Sequence, residues 1–184
     1  MSSWLEHKEE ILSTFQLIDP SVILTTKDGW FWKVLGKILA FLHATNYIEF
    51  INSYATTLGP VQAYPSSWTM EQVLNVGSHE CRHTRQCRYF GFGISPWVGL
   101  PFMAVAYLLL PLPILFAWCR YRLELDADKG RWQYLWNTGS TDEEILETAK
   151  FCATQVSSKS YLFSVPKVWA LWGFDRATRK FLGL

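Results

Sequence analysis

Apolar positions recur at helical spacing over most of the chain, and the polar positions between them mark where each helix starts and stops. Trp4, Ile11, Leu12 and Phe15 predict a first helix from Ser3 to Leu17. Asp19-Pro20 closes it, because proline restricts the residue before it. Ser21 to Thr26 is short, partly β-branched, and reads as extended. Asp28 is placed to cap a second helix over Gly29–Ala44, with Trp30, Val34, Ile38, Leu39 and Leu42 as its buried stripe. The pattern then changes. Tyr47, Ile48, Phe50, Ile51, Tyr54, Thr56, Thr57 and Val61 are strand formers, interrupted at Asn52-Ser53 and Gly59-Pro60. They predict a small antiparallel sheet of two to three strands between Asn46 and Tyr64. Pro60 cannot donate to a ladder, so the last of these strands is expected at an edge.

Helical patterning resumes after the turn Pro65-Ser66-Ser67-Trp68. Thr69 with Gln72 three residues on is a capping box, and it opens a helix expected over Met70–Tyr89. Met70, Val73, Leu74 and Gly77 fall on its packed side, and Gly91 and Gly93 end it. Between Tyr89 and Cys119 there is no charged residue. The segment is too short to cross a bilayer twice, and Pro96, Pro101, Pro111 and Pro113 divide it, so an apolar helical hairpin is expected, with a re-entrant dip into a membrane as the alternative. A further helix is expected over Pro113–Lys129, stopped by Gly130. Thr141 and Glu144 form a second capping box for a helix to about Ser157, with Ile145, Ala149, Cys152, Ala153 and Val156 inside. From Tyr161 to Leu184, Trp169, Trp172, Phe174 and Phe181 predict a last helix packed on the core beside Lys167, Arg176, Arg179 and Lys180. The same residues suit a partner or membrane-interface surface. The fold class is therefore α+β, a mostly helical single domain over residues 1–184. Its parts are N-terminal helices (1–45), the sheet (46–65), a core (66–130) with the apolar insertion 89–119, and C-terminal helices (131–184).

One stretch on the Met70–Tyr89 helix carries chemistry. Val76-Gly77-Ser78-His79-Glu80-Cys81-Arg82-His83 contains H-E-x-x-H. Residues i and i+4 share a helix face, so His79 and His83 present two imidazoles to one metal ion, with Glu80 beside them as a base for a metal-activated water. The rival reading is a surface helix with solvated histidines. A catalytic zinc wants a third protein ligand, and Glu124 downstream can supply it. Asp128, four residues on, falls on the same face, where a carboxylate can accept from the far nitrogen of a ligating histidine. Asp126 faces elsewhere, and Cys81 lies about 200° around the helix from His79. His43 has no ligand spacing to support it.

H-E-x-x-H followed by Glu124-Leu125-Asp126-Ala127-Asp128, an E-x-x-A-D pattern, resembles the gluzincin metallopeptidases, and most of all their short minigluzincin forms. The core of the membrane-embedded prenyl-protein and heat-shock metalloproteases is similar too. The runs Thr56-Thr57-Leu58-Gly59, Ala63-Tyr64-Pro65 and Tyr107 to Pro113 resemble small metallopeptidases of phages and bacteria. The likeness covers about Thr56 to Asp128 and departs in the long apolar interval between His83 and Glu124. It implies that His79, His83 and Glu124 bind Zn2+, that Glu80 is the general base and that Asp128 supports a ligand. It also implies that an edge strand before the metal helix holds an extended peptide.

Composition narrows the partners. The formal net charge is +1, which gives no reason to expect nucleic acid, while ten Trp and twelve Phe supply large apolar and aromatic surfaces. The first residues, Met1 to Glu10, lack the basic and apolar regions of a secretory signal. Cys81, Cys87, Cys119 and Cys152 are scattered and read as reduced thiols. A cytoplasmic or virion-associated protein is expected. The leading expectation is a zinc-dependent endopeptidase acting on a peptide or protein substrate, with Tyr161 as candidate donor to the oxyanion. Two readings from other classes stay open. One is a structural or virion component that keeps the fold and meets an assembly partner through apolar or aromatic surfaces. The other is a membrane-associated protein organised around residues 89–119.

Overall fold

The computed structural model describes residues 3–41, 46–108, 116–158 and 165–184, and the chain forms two compact units, Met1–Leu100 and Pro101–Leu184. The architecture is α+β and mostly helical, with a single three-stranded sheet among the described residues.

In the first unit a short 3-10 turn, Trp4–His7, leads into α1 (Lys8–Ile18). Trp4 is fully buried, and its indole N–H donates to the Pro65 carbonyl at 2.9 Å. That bond ties the N-terminal segment to the entrance of α4 (Met70–Phe90), which begins with the expected capping box of Thr69 and Gln72. Phe15 of α1 lies directly on Gly77 of α4, so a Cβ there would collide with the ring and come within 2.9 Å of the Tyr64 hydroxyl. Glycine costs a helix interior about 1 kcal/mol; here it lets the two helices meet. Asp19, just after α1, accepts from Arg88 Nε at 2.9 Å and Nη2 at 2.7 Å, a fork that pins the end of α1 to the last turn of α4.

The sheet is built from β1 (Ile23–Thr26), β2 (Thr56–Leu58) and β3 (Val61–Tyr64), in the order β1-β3-β2. It departs from the antiparallel sheet expected within residues 46–64. β1 runs parallel to β3, with Ile23 opposite Val61, and β2 runs antiparallel to it, with Leu58 opposite Val61. The last strand is central, not an edge. Pro60 precedes it, so its missing N–H costs the ladder nothing, and its carbonyl accepts from Ile23 N–H at 2.9 Å. The edges are β1 and β2.

Tyr47–Asn52 is also not a strand but a helix, α3. Asn46 Oδ1 accepts from the Ile48 N–H at 2.8 Å and the Glu49 N–H at 3.4 Å. Phe50 then enters a cluster with Trp32 of α2 (Trp30–Phe41). A local cap and one buried aromatic override the β propensity of the segment. Of the stripe predicted for α2, Leu39 packs on the Phe50 cluster, but the rest of the described stripe is turned outward. Trp32 and Gly36 are buried, whereas Trp30, Val34 and Ile38 face outward; Leu42 lies outside the described residues. Both sides of α2 are apolar, and contact with Phe50 selected the side that periodicity did not. Lys27, between β1 and α2, is fully buried; its ammonium donates to the Phe50 carbonyl at 2.7 Å and sits 3.8 Å from that ring's centroid.

In the second unit α6 (Phe116–Asn137), α7 (Asp142–Val156) and α8 (Lys167–Leu182) pack around Trp132, Phe174, Ile145 and Ala153. Gly130 does not stop α6. The helix continues to Asn137 because Trp132 must keep helical phase to reach Phe174 and Phe181, with ring centroids at 6.2 and 6.1 Å. The turn comes at Gly139, whose φ of 86° favours glycine. In α8, Phe174 is buried as expected, but Trp169 and Trp172 are exposed. α5 (Pro96–Leu108) is apolar with Pro101 inside it. Residues 109–115, where the expected hairpin would turn, lie outside the described residues. Among the described residues no helix is long and apolar enough to cross a membrane.

Candidate metal centre

α4 holds its two histidines by packing on the opposite face. Gln62 of β3 donates to Thr84 Oγ1 at 3.2 Å and to Cys81 Sγ at 3.4 Å, and the Tyr64 hydroxyl donates to Gln62 Oε1 at 2.7 Å. This buried polar set fixes the rotation of α4 against the sheet. Cys81 belongs to it, as its angle from His79 predicts, and burial pushes its thiol up to about 12. All four cysteines are free.

His79 and His83 are both buried, with Nε2 atoms 3.0 Å apart and ring centroids 4.7 Å apart. His83 Nδ1 lies 2.8 Å from Gln86 Oε1. An amide oxygen only accepts, so this contact places the proton on Nδ1 and leaves Nε2 of a neutral ring with its lone pair toward His79. Two nitrogens facing at this distance need a shared proton or a cation between them. Glu80 is buried beside them, and its Oε2 accepts from Thr57 Oγ1 of β2 at 2.6 Å, a short charge-assisted bond. The edge strand β2 therefore touches the carboxylate expected to act as base. Lys27 lies within the field of that carboxylate. Burial pushes its amine down to about 7, and the Glu80 charge opposes the shift.

On α6, Glu124 and Asp128 are each buried. The Asp128 carboxylate lies 3.4 Å from Arg131 Nη1, and Arg131 Nη1 also donates to Cys152 Sγ at 2.9 Å. Burial, and secondarily the Asp128 charge, push the Cys152 thiol up to about 12. Asp126 is partly exposed and pairs with Lys129 at 3.1 Å, on the outer side as its spacing predicts.

His79, His83 and Glu124 are buried and make up a group that could hold a metal ion. These are the three residues that the sequence analysis names as ligands. Tyr161 and His43 lie outside the described residues. Thr57 and Gln86 were not anticipated. Gln86 stands one turn after His83, a spacing at which helix neighbours meet, so that contact was open to prediction. Nothing in the spacing of Thr57 announces its bond to Glu80. Comparison with protein-family models, with curated proteins and with solved structures gave no match.

Proposed function

We propose that this protein is a zinc-dependent endopeptidase. The reading is supported above all by the buried His79, His83 and Glu124 group. Two neutral imidazoles and one carboxylate are the donor set of a catalytic zinc that keeps its fourth position open. When bound, zinc would polarise the scissile carbonyl and acidify a water. Glu80 takes the proton of the attacking water and delivers it to the leaving amine. Thr57 holds one oxygen of that carboxylate, which keeps the proton-accepting edge from turning away. Gln86 fixes the His83 tautomer in which Nδ1 carries the proton and Nε2 is the ligand atom. The substrate is an extended peptide paired to the outer edge of β2, the edge strand that carries Thr57. Tyr161 is the candidate donor to the oxyanion, on its sequence position alone.

The test combines metal analysis with one substitution. The purified chain should carry about one zinc, and Glu80→Gln should abolish peptide cleavage while zinc stays bound. Cleavage retained by Glu80→Gln, or no zinc retained by the parent protein, would overturn the proposal.

A further inference from the structure

The outward face of α2 has no role in the chemistry proposed above. Trp30, Val34, Ile38 and Phe41 recur at i, i+4, i+8 and i+11, which places them along one side of the helix. All four are exposed, Trp30 at 77% and Phe41 at 81%. The opposite side, with Trp32, Leu35, Gly36 and Leu39, is committed to the core around Phe50. Phe31 extends the outer stripe, and its ring stands edge-to-face on Trp30 with centroids 6.3 Å apart. A helix apolar on both sides and covered on one leaves a continuous apolar ridge in water. Such a ridge marks a contact surface.

The charges beside the ridge indicate what covers it. Lys33 and Lys37 stand at i and i+4, both exposed, on one flank of the stripe, and α2 contains no acid. Like charges at that spacing destabilise a helix unless an anionic surface answers them. The nearest acid in sequence before α2, Asp28, accepts from Ser66 Oγ at 3.3 Å, and α3 adds only Glu49. An apolar stripe with tryptophan and phenylalanine, bordered by lysines, matches a helix lying in the plane of a membrane interface. Spanning is ruled out by length, since twelve residues reach only about 18 Å against a hydrocarbon core of about 30 Å. We infer that α2 docks the protein on an anionic lipid surface, with Trp30, Val34, Ile38 and Phe41 entering the headgroup region and Lys33 and Lys37 meeting lipid phosphates.

The inference does not depend on the metal site, and its test needs no catalytic readout. The full chain is sedimented with vesicles of equal parts phosphatidylglycerol and phosphatidylcholine, and with phosphatidylcholine alone. The parent protein should partition onto the anionic vesicles, and less so as salt rises. Each lysine near such a surface is worth about a fivefold factor, so Lys33→Gln with Lys37→Gln should weaken partitioning about 30-fold. Phe41→Ser should weaken it as well. Because these side chains face solvent, circular dichroism and thermal midpoint should match the parent. Failure of the parent to partition would overturn the inference, as would variants that partition like the parent. A concentration-dependent dimer that Phe41→Ser dissolves would assign the ridge to a second copy of the chain instead.

Discussion

At the residue scale the proposed chemistry rests on how two hydrogen-bonding side chains hold two others in place. Thr57 Oγ1 reaches Glu80 Oε2 at 2.6 Å, and Gln86 Oε1 reaches His83 Nδ1 at 2.8 Å. These contacts predict different phenotypes. Thr57→Val keeps the shape of the side chain but removes the donor. A positioned general base is worth about 10²–10⁴-fold in rate, so losing its alignment should lower kcat by about tenfold or more. Zinc content and KM should hold, and Thr57→Ser should recover most of the rate. A shared fall in kcat and zinc would mean that Thr57 supports the fold and not the carboxylate. Gln86→Leu frees the His83 ring to rotate and change tautomer. Removing such a support typically costs about 10–100-fold in metal affinity, which competition with a chromogenic chelator would read directly. Unaltered affinity would show that packing alone orients the ring. The ligand spacing is legible in the chain because one helix carries both histidines. Thr57 is not, because a hydroxyl that meets a carboxylate across a strand leaves no periodic trace.

At the element scale, what the sequence discloses is what neighbouring residues decide among themselves. The boxes Thr69–Gln72 and Thr141–Glu144 are closed by residues three apart, and both form as expected. In the second, Glu144 Oε2 accepts from the Thr141 N–H at 2.8 Å, and Thr141 Oγ1 accepts from the Glu144 N–H at 3.3 Å. Thr141→Ala should therefore cost about 1 kcal/mol, seen as a lower urea midpoint with unchanged slope; a loss within error would show that α7 is held by packing alone. Distant residues decided the rest. β1 joins the sheet by pairing Ile23 with Val61, a match no local window contains. α3 owes its helix to Asn46 and to a Phe50 site made by α2. α6 ignores Gly130 because Trp132 is wanted inside. α2 offered two apolar sides, and its sequence could not say which would be covered.

At the scale of the whole molecule, two titratable groups buried in the first unit contribute to how stability responds to pH. Asp19 is held down to about 2, first by the Arg88 guanidinium, against an unfolded value of 3.8. Its contribution is complete above about 4 and is lost as pH falls through 2, because the unfolded chain takes up the proton first. Lys27 acts in the other part of the range. Burial lowers it to about 7, while the unfolded chain keeps its proton to 10.5. Between those values the unfolded state binds more protons, so stability rises with pH from about 7 upward. Above 9 the buried thiols of Cys81, Cys87 and Cys152 oppose that rise, since their folded values are about 12, 11 and 12 and unfolding lets them ionise. The gain from Lys27 should therefore be read between pH 7 and pH 9. Urea midpoints over that window should climb for the parent and stay flat for Lys27→Met, while Asp19→Asn should remove the acid-side fall between pH 4 and pH 2 and leave the alkaline rise untouched. A climb that persists in Lys27→Met would place its source in another group and leave Lys27 charged within the fold, held by the Phe50 carbonyl and ring.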